Sequence, residues 1–167
     1  LLDSPIIPHL MQKLESKKEK IKFSRVDSDT LENLIKKDEE VISKLTDEEK
    51  EKLKPMIETA VENEKYTVQL EALDSNSMPF MLAQPEFMRR MKEMQQTGGG
   101  AMGNLPEMYS LIVNTNHELV GKILNTRTEK KRNSLIKQSI DLAKLSQNNL
   151  TGKDLTEFIN RSIDLIK

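Results

Sequence analysis

The sequence predicts an α+β domain, a small three-stranded mixed sheet covered by helices. Three observations carry this expectation. Tyr66 to Leu73 alternates apolar and polar residues, with Tyr66, Val68, Leu70 and Ala72 on one face and Thr67, Gln69 and Glu71 on the other. Two further runs of strand length, Met78 to Ala83 and Glu107 to Val113, follow it. From Leu119 onward the apolar spacing changes to that of helices.

Taken in order, Leu1 to Ile6 reads as a strand end running into a turn at Pro5, and His9 to Lys18 as a helix with Leu10, Met11 and Leu14 on one face. Ile21 to Val26 alternates only in part, with Ile21 and Phe23 sharing a face, and reads as a strand. Thr46-Asp47-Glu48-Glu49 is a capping box, in which the Thr46 hydroxyl bonds the Glu49 N–H and the Glu49 carboxylate reaches back. The helix it opens carries Leu53, Met56, Ile57, Ala60 and Val61; Pro55 should kink or restart it. Asp74 to Ser77 is a turn. Leu119, Val120, Ile123 and Leu124 mark a short helix, and Leu135, Ile136, Ile140, Leu142, Ala143 and Leu145 a longer one. After a break at Ser146 to Leu150, Thr151 can cap a final helix. Its stripe, Leu155, Phe158, Ile159, Ser162, Ile163 and Ile166, runs to the end of the chain.

Composition narrows the function. A chain of 167 residues accommodates one domain, or one domain with part of another. It opens on Leu1-Leu2 and reads as a piece of a longer protein. No apolar run approaches the roughly 18 residues of a membrane span. The absence of cysteine excludes disulfides and thiolate chemistry. A net charge of −1 gives nucleic acid no general attraction. Between Lys13 and Lys65, 28 of 53 residues are charged, but the signs are balanced, so this is a solvated helical surface rather than a binding patch.

Catalytic constellations are not found. His9 and His117 stand in no metal-ligand spacing, and His117 follows Asn114-Thr115-Asn116 at a helix start, where polar groups satisfy free N–H groups. Asp27-Ser28-Asp29 lacks the glycine and distal glutamate of a calcium loop and reads as a turn. Gly98, Gly99, Gly100 and Gly103 form a glycine-rich stretch without the Gly-Lys-Ser/Thr of a phosphate cradle, and read as a mobile loop. No metal site and no enzymatic activity are expected.

Two apolar stripes remain. Seven of the nine methionines fall between Met78 and Met108. In Pro85 to Gln96, a helix opened by Pro85 and Glu86, Phe87, Met88, Met91 and Met94 share one face. Spacing alone favours core packing there, but methionine suits surfaces that meet many partners. The C-terminal helix pair can bury its stripe within one chain, or across two copies as a four-helix bundle.

Three phrases resemble one family. Phe23-Ser24-Arg25-Val26-Asp27-Ser28-Asp29, Phe87-Met88-Arg89-Arg90-Met91 and Pro106-Glu107-Met108-Tyr109-Ser110-Leu111-Ile112-Val113-Asn114-Thr115-Asn116-His117 resemble the C-terminal domain of the heat-shock protein 90 chaperones, in their bacterial form. The resemblance implies that residues 1–20 are the tail of the preceding middle domain and 21–167 a C-terminal dimerisation domain. It implies a homodimer joined by a four-helix bundle through Leu135, Leu142, Leu155, Phe158, Ile159, Ser162, Ile163 and Ile166. It also implies that Phe87, Met88, Met91 and Met94 form an exposed helix that touches unfolded or partly folded client proteins. That family is cytoplasmic and serves protein folding under stress. Its ATP and Mg sites lie in an N-terminal domain and its catalytic arginine in a middle domain, so this stretch itself would hold no cofactor and hydrolyse no ATP. There are departures: Thr115 stands where many relatives have proline, no tryptophan is present for client contact, and no acidic co-chaperone tail follows Lys167. The competing expectation is a stand-alone, monomeric, Met-rich peptide-binding module.

Overall fold

A computed structural model describes residues 7–18, 21, 23, 41–61, 65–85, 88, 91, 108–147 and 149–166. The chain divides into two units, residues 1–36 with 83–108, and residues 37–82 with 109–167. In the first, helix α1 runs over Ile7–Lys17, two residues earlier than its apolar spacing suggests, and exposes Leu10 and Leu14. Glu15 accepts a hydrogen bond from the Phe23 N–H at 2.7 Å. The strand expected at Ile21 to Val26 lies mostly outside the described residues, and Ile21 and Phe23 are not in a strand. The turn at Asp27 lies outside them as well.

The second unit carries the sheet. Its strands are β1 (Tyr66–Glu71), β2 (Phe80–Ala83, whose last residue is counted with the first unit) and β3 (Tyr109–Asn114). They form a three-stranded mixed sheet in the order β1-β3-β2. β1 and β3 run parallel, with Tyr66 opposite Tyr109 and Glu71 opposite Asn114. The alternation in β1 is realised over its first part, where Val68 is buried between the exposed Thr67 and Gln69, whereas Leu70 and Glu71 are both half-buried. β3 lies between two strands and is buried from Leu111 to Asn114, on both faces.

Helices α2 (Asp47–Ala60), α3 (Glu118–Asn125) and α4 (Glu129–Ser146) cover this sheet, and α5 (Gly152–Ile166) follows them. Leu53 and Ile57 of α2, Val120 and Ile123 of α3, and Ile136, Ile140 and Ala143 of α4 join Val68, Phe80, Leu111 and Val113 in one core. The capping box forms: Thr46 Oγ1 accepts from the Glu49 N–H at 3.3 Å, and the Glu49 carboxylate accepts from the Thr46 N–H at 2.9 Å. Pro55 does not restart α2, which is one continuous helix. The proline and Glu51, whose carbonyl loses its usual donor, are both exposed, so water can serve that carbonyl. At the start of α5, Gly152 takes φ +59°, a conformation that costs side-chain-bearing residues energy.

Asn114-Thr115-Asn116 ties the sheet to the segment entering α2. The Asn114 side chain donates to the Asp74 carbonyl at 2.8 Å and accepts from the N–H groups of Leu73 and Asn116 at 3.2 and 3.0 Å. Thr115 Oγ1 donates to the Glu71 carbonyl at 3.1 Å and accepts from Ser43 at 2.9 Å. Asn116 donates to the carbonyls of Ile42 and Leu73 at 3.0 and 3.1 Å and accepts from the Lys44 N–H at 2.6 Å. Threonine at position 115 is therefore used: a proline there would have no hydroxyl to give and no N–H to reach the Glu71 carbonyl, which that N–H meets at 2.8 Å. His117 caps α3, its Nδ1 accepting from the Leu119 N–H at 3.0 Å, as its place after the polar triplet suggests.

Removing one such side chain strands several backbone groups at once. Asn116→Ala leaves the Lys44 N–H and two carbonyls without their partners, so urea unfolding should show a loss of about 3 kcal/mol. Asn76→Ala, at an exposed turn position, should change stability by less than about 0.5 kcal/mol.

Candidate functional site

α4 carries apolar residues on two sides. Ile136, Ile140 and Ala143, at i, i+4 and i+7, face the core. A second row, Leu135, Gln138, Leu142 and Leu145, steps by three, four and three. Leu135, at the start of that row, is buried in the core of its own chain. Leu142 and Leu145, farther along, are 39% and 40% exposed. α5 has a matching row, Leu155, Ile159, Ser162 and Ile166, stepping by four, three and four, with Ile163 beside it. Steps alternating three and four average the 3.5-residue period by which helices pack along a seam. Leu155, Phe158 and Ser162 are half-buried, whereas Ile159, Ile163 and Ile166 are 48%, 47% and 84% exposed. No described residue of α5 is fully buried.

Several polar links join α5 to α4. Gln138 Nε2 donates to Ser162 Oγ at 2.7 Å, and that hydroxyl donates to the Phe158 carbonyl at 2.8 Å. These two side chains are the polar interruptions of the two rows, and they meet. Next to them the Arg161 guanidinium bonds the Asp141 carboxylate, whose side chain is 6% exposed. Asp141 is also 3.6 Å from Lys144 Nζ. Glu157 lies 3.4 Å from Lys137, 3.7 Å from Lys153 and 3.9 Å from Arg161. Lys144 reaches the sheet as well, its ammonium 5.9 Å from the centre of the Tyr66 ring, which stacks on Tyr109 at 6.1 Å. Gln147 Nε2 donates to the Leu82 carbonyl. Polar links thus run from the sheet through α4 to α5.

Sequence reasoning found the apolar rows but not this seam. Gln138, Asp141, Lys144 and Arg161 look like ordinary solvated helix residues until the crossing of the two helices is known. The polar breaks at Gln138 and Ser162 in otherwise apolar rows were the available signal.

In the first unit, Met88 and Met91 are helical and half-buried. Their spacing of three puts them on one face. Phe87 and Met94, and the glycines Gly98, Gly99, Gly100 and Gly103, lie outside the described residues. Among the described residues, no three His, Cys, Asp or Glu side chains come together to hold a metal, and no helix is long and apolar enough to cross a membrane.

No family model matches the chain. The chaperone protein HtpG of Porphyromonas gingivalis is 39% identical over 150 residues, covering 87% of this chain and 22% of that protein. The chain matches a fragment of the bacterial heat-shock protein 90 family. HtpG proteins of Bacteroides thetaiotaomicron and Bacteroides fragilis align at 29% and 28% identity, over 99% of this chain and 34% of their own length. The chain therefore spans between about a fifth and a third of the relatives it matches.

The seam separates two kinds of ion pair by their environment. Asp141 is nearly out of water, so Asp141→Ala, which leaves Arg161 and Lys144 without their acceptor, should lower stability in urea by about 3 kcal/mol. Lys137→Ala removes a pair whose side chains are 55% and 42% exposed and should cost under about 0.5 kcal/mol.

Proposed function

We propose that this chain is the homodimerisation module of an ATP-driven chaperone, with residues 21–167 as a C-terminal dimerisation domain and 1–20 as the tail of a middle domain. In this reading α4 and α5 of two copies form a four-helix bundle. The observation that carries it is the exposed set Leu142, Leu145, Ile159, Ile163 and Ile166 on the paired last helices. A second copy is the natural cover, because the two rows have the period of a helical seam. Each of these side chains already has part of its surface covered, so further burial is worth about 1 kcal/mol apiece. Ten of them across two copies give on the order of 10 kcal/mol, similar to the cost of association. Leu155, Phe158 and the charged rim would then decide how tight the dimer is.

The methionine helix is the proposed client contact, with Met88 and Met91 helped by Phe87 and Met94. Unbranched thioether side chains fit irregular apolar segments without selecting one sequence. The proposed clients are unfolded or partly folded proteins. ATP hydrolysis, with its Mg, belongs to parts of the chaperone other than this stretch, and the proposed compartment is the cytoplasm.

Ile159→Asp combined with Ile163→Asp tests the dimer. The parent chain should sediment as two copies at micromolar concentration and the double variant as one, with the core melting nearly unchanged. A parent that sediments as a single copy and binds hydrophobic peptide would instead be a monomeric peptide-binding module. The client role has its own measurement. Met88→Ser with Met91→Ser should weaken suppression of a client's aggregation while shifting the melting temperature by no more than about 3 °C, equivalent to roughly 1 kcal/mol at this size. A larger drop would place both methionines in the core.

A further inference from the structure

We propose that docking of α5 onto α4 and association of two copies are a single equilibrium, so that a separated copy keeps its sheet and α2 to α4 but has no fixed α5. This rests on the homodimer reading above. The first support is burial. α4 holds seven buried residues, whereas no described residue of α5 is buried. The second is the chemistry of the seam. Gln138–Ser162 and Lys137–Glu157 fix how α5 lies at little net gain, because water offers these groups comparable bonds once the helix leaves, and in the buried Asp141–Arg161 pair the attraction is largely offset by the cost of taking both ions out of water. The seam is also incompletely matched: Gln138 Oε1 and Arg161 Nε are buried without a hydrogen-bond partner.

The third support is local. A helix of 15 residues is marginal alone. This one opens on Gly152 and carries the β-branched Thr156, Ile159 and Ile163, together with Asn160 and Ser162, which lower helix propensity further. A second copy would cover Ile159, Ile163 and Ile166, which are 48%, 47% and 84% exposed. The device has a natural boundary. We place it at Leu150, which is buried just before α5 begins.

Hydrogen exchange of the whole 167-residue chain, followed together with sedimentation, tests this. In the parent dimer the α5 amides should be protected. On dilution they should lose that protection over the same concentration range in which the copies separate. Leu142→Glu, which alters only α4 at an exposed position, should give a single copy whose α5 amides exchange at least about 100-fold faster than in the dimer. The amides of Leu111 to Val113 should keep their protection. Should Leu142→Glu still pair, the dilution series of the parent decides alone. A dimer whose separated copies keep α5 protected overturns this inference and leaves the homodimer reading intact. A parent that is a single copy at every concentration overturns both.

Discussion

Helix α4 has to satisfy two neighbours with one run of eighteen residues, and the rest of this architecture follows from how it does so. Toward the sheet it offers Ile136, Ile140 and Ala143, which close the core over Leu111 and Val113. Toward α5 it offers Gln138 and Asp141, which bond Ser162 and Arg161. The two faces do different physical work. Apolar burial on the sheet side is cumulative and non-directional, and it supplies stability. The polar side supplies geometry, because a hydrogen bond or a buried ion pair is worth little net but fails sharply when misplaced.

The polar triplet Asn114-Thr115-Asn116 works in the same way at the end of β3. Its side chains reach backbone groups in three places, the segment around Ser43, the end of β1 and the turn at Asp74. Segments distant in sequence are thereby held by a few directional bonds inside a buried environment, where an unpaired group would be costly. Register is the result: Asn114 lies opposite Glu71, and Thr115 bonds the carbonyl of that same glutamate. His117 then opens α3 with its ring nitrogen, which occupies that side chain in structure.

A polar seam between α4 and α5 has a consequence for the apolar residues that remain. A pair joined through Leu-to-Ile contacts would have buried its rows internally. Here Gln138 and Ser162 meet at the junction, and Ile159, Ile163 and Ile166, like Leu142 and Leu145, are exposed. Large apolar side chains exposed singly are ordinary; five on two successive helices are what the proposed dimer would cover. The methionines described in the first unit differ in kind. Met88 and Met91 are only half-buried, and they are the residue type best suited to shallow, adaptable contact.

Local chemistry was readable in the sequence alone. The capping box at Thr46 and Glu49, the alternation of β1, the turn at Asp74 and the cap at His117 each depend on residues within a few positions of one another, so spacing suffices to specify them. The three phrases that resemble the chaperone family were likewise visible as strings of residues. Tertiary structure decided what spacing leaves open. Pro55 sits inside an unbroken helix because its surroundings are solvent. Leu135 and Leu142 belong to one row, yet one is buried and the other exposed, which depends on what packs against each position. Asp141 and Arg161, twenty residues apart in sequence, became partners only when two successive helices came side by side. A single chain specifies periodicity through its own backbone geometry, whereas the partner of each face is set by elements far away along the chain.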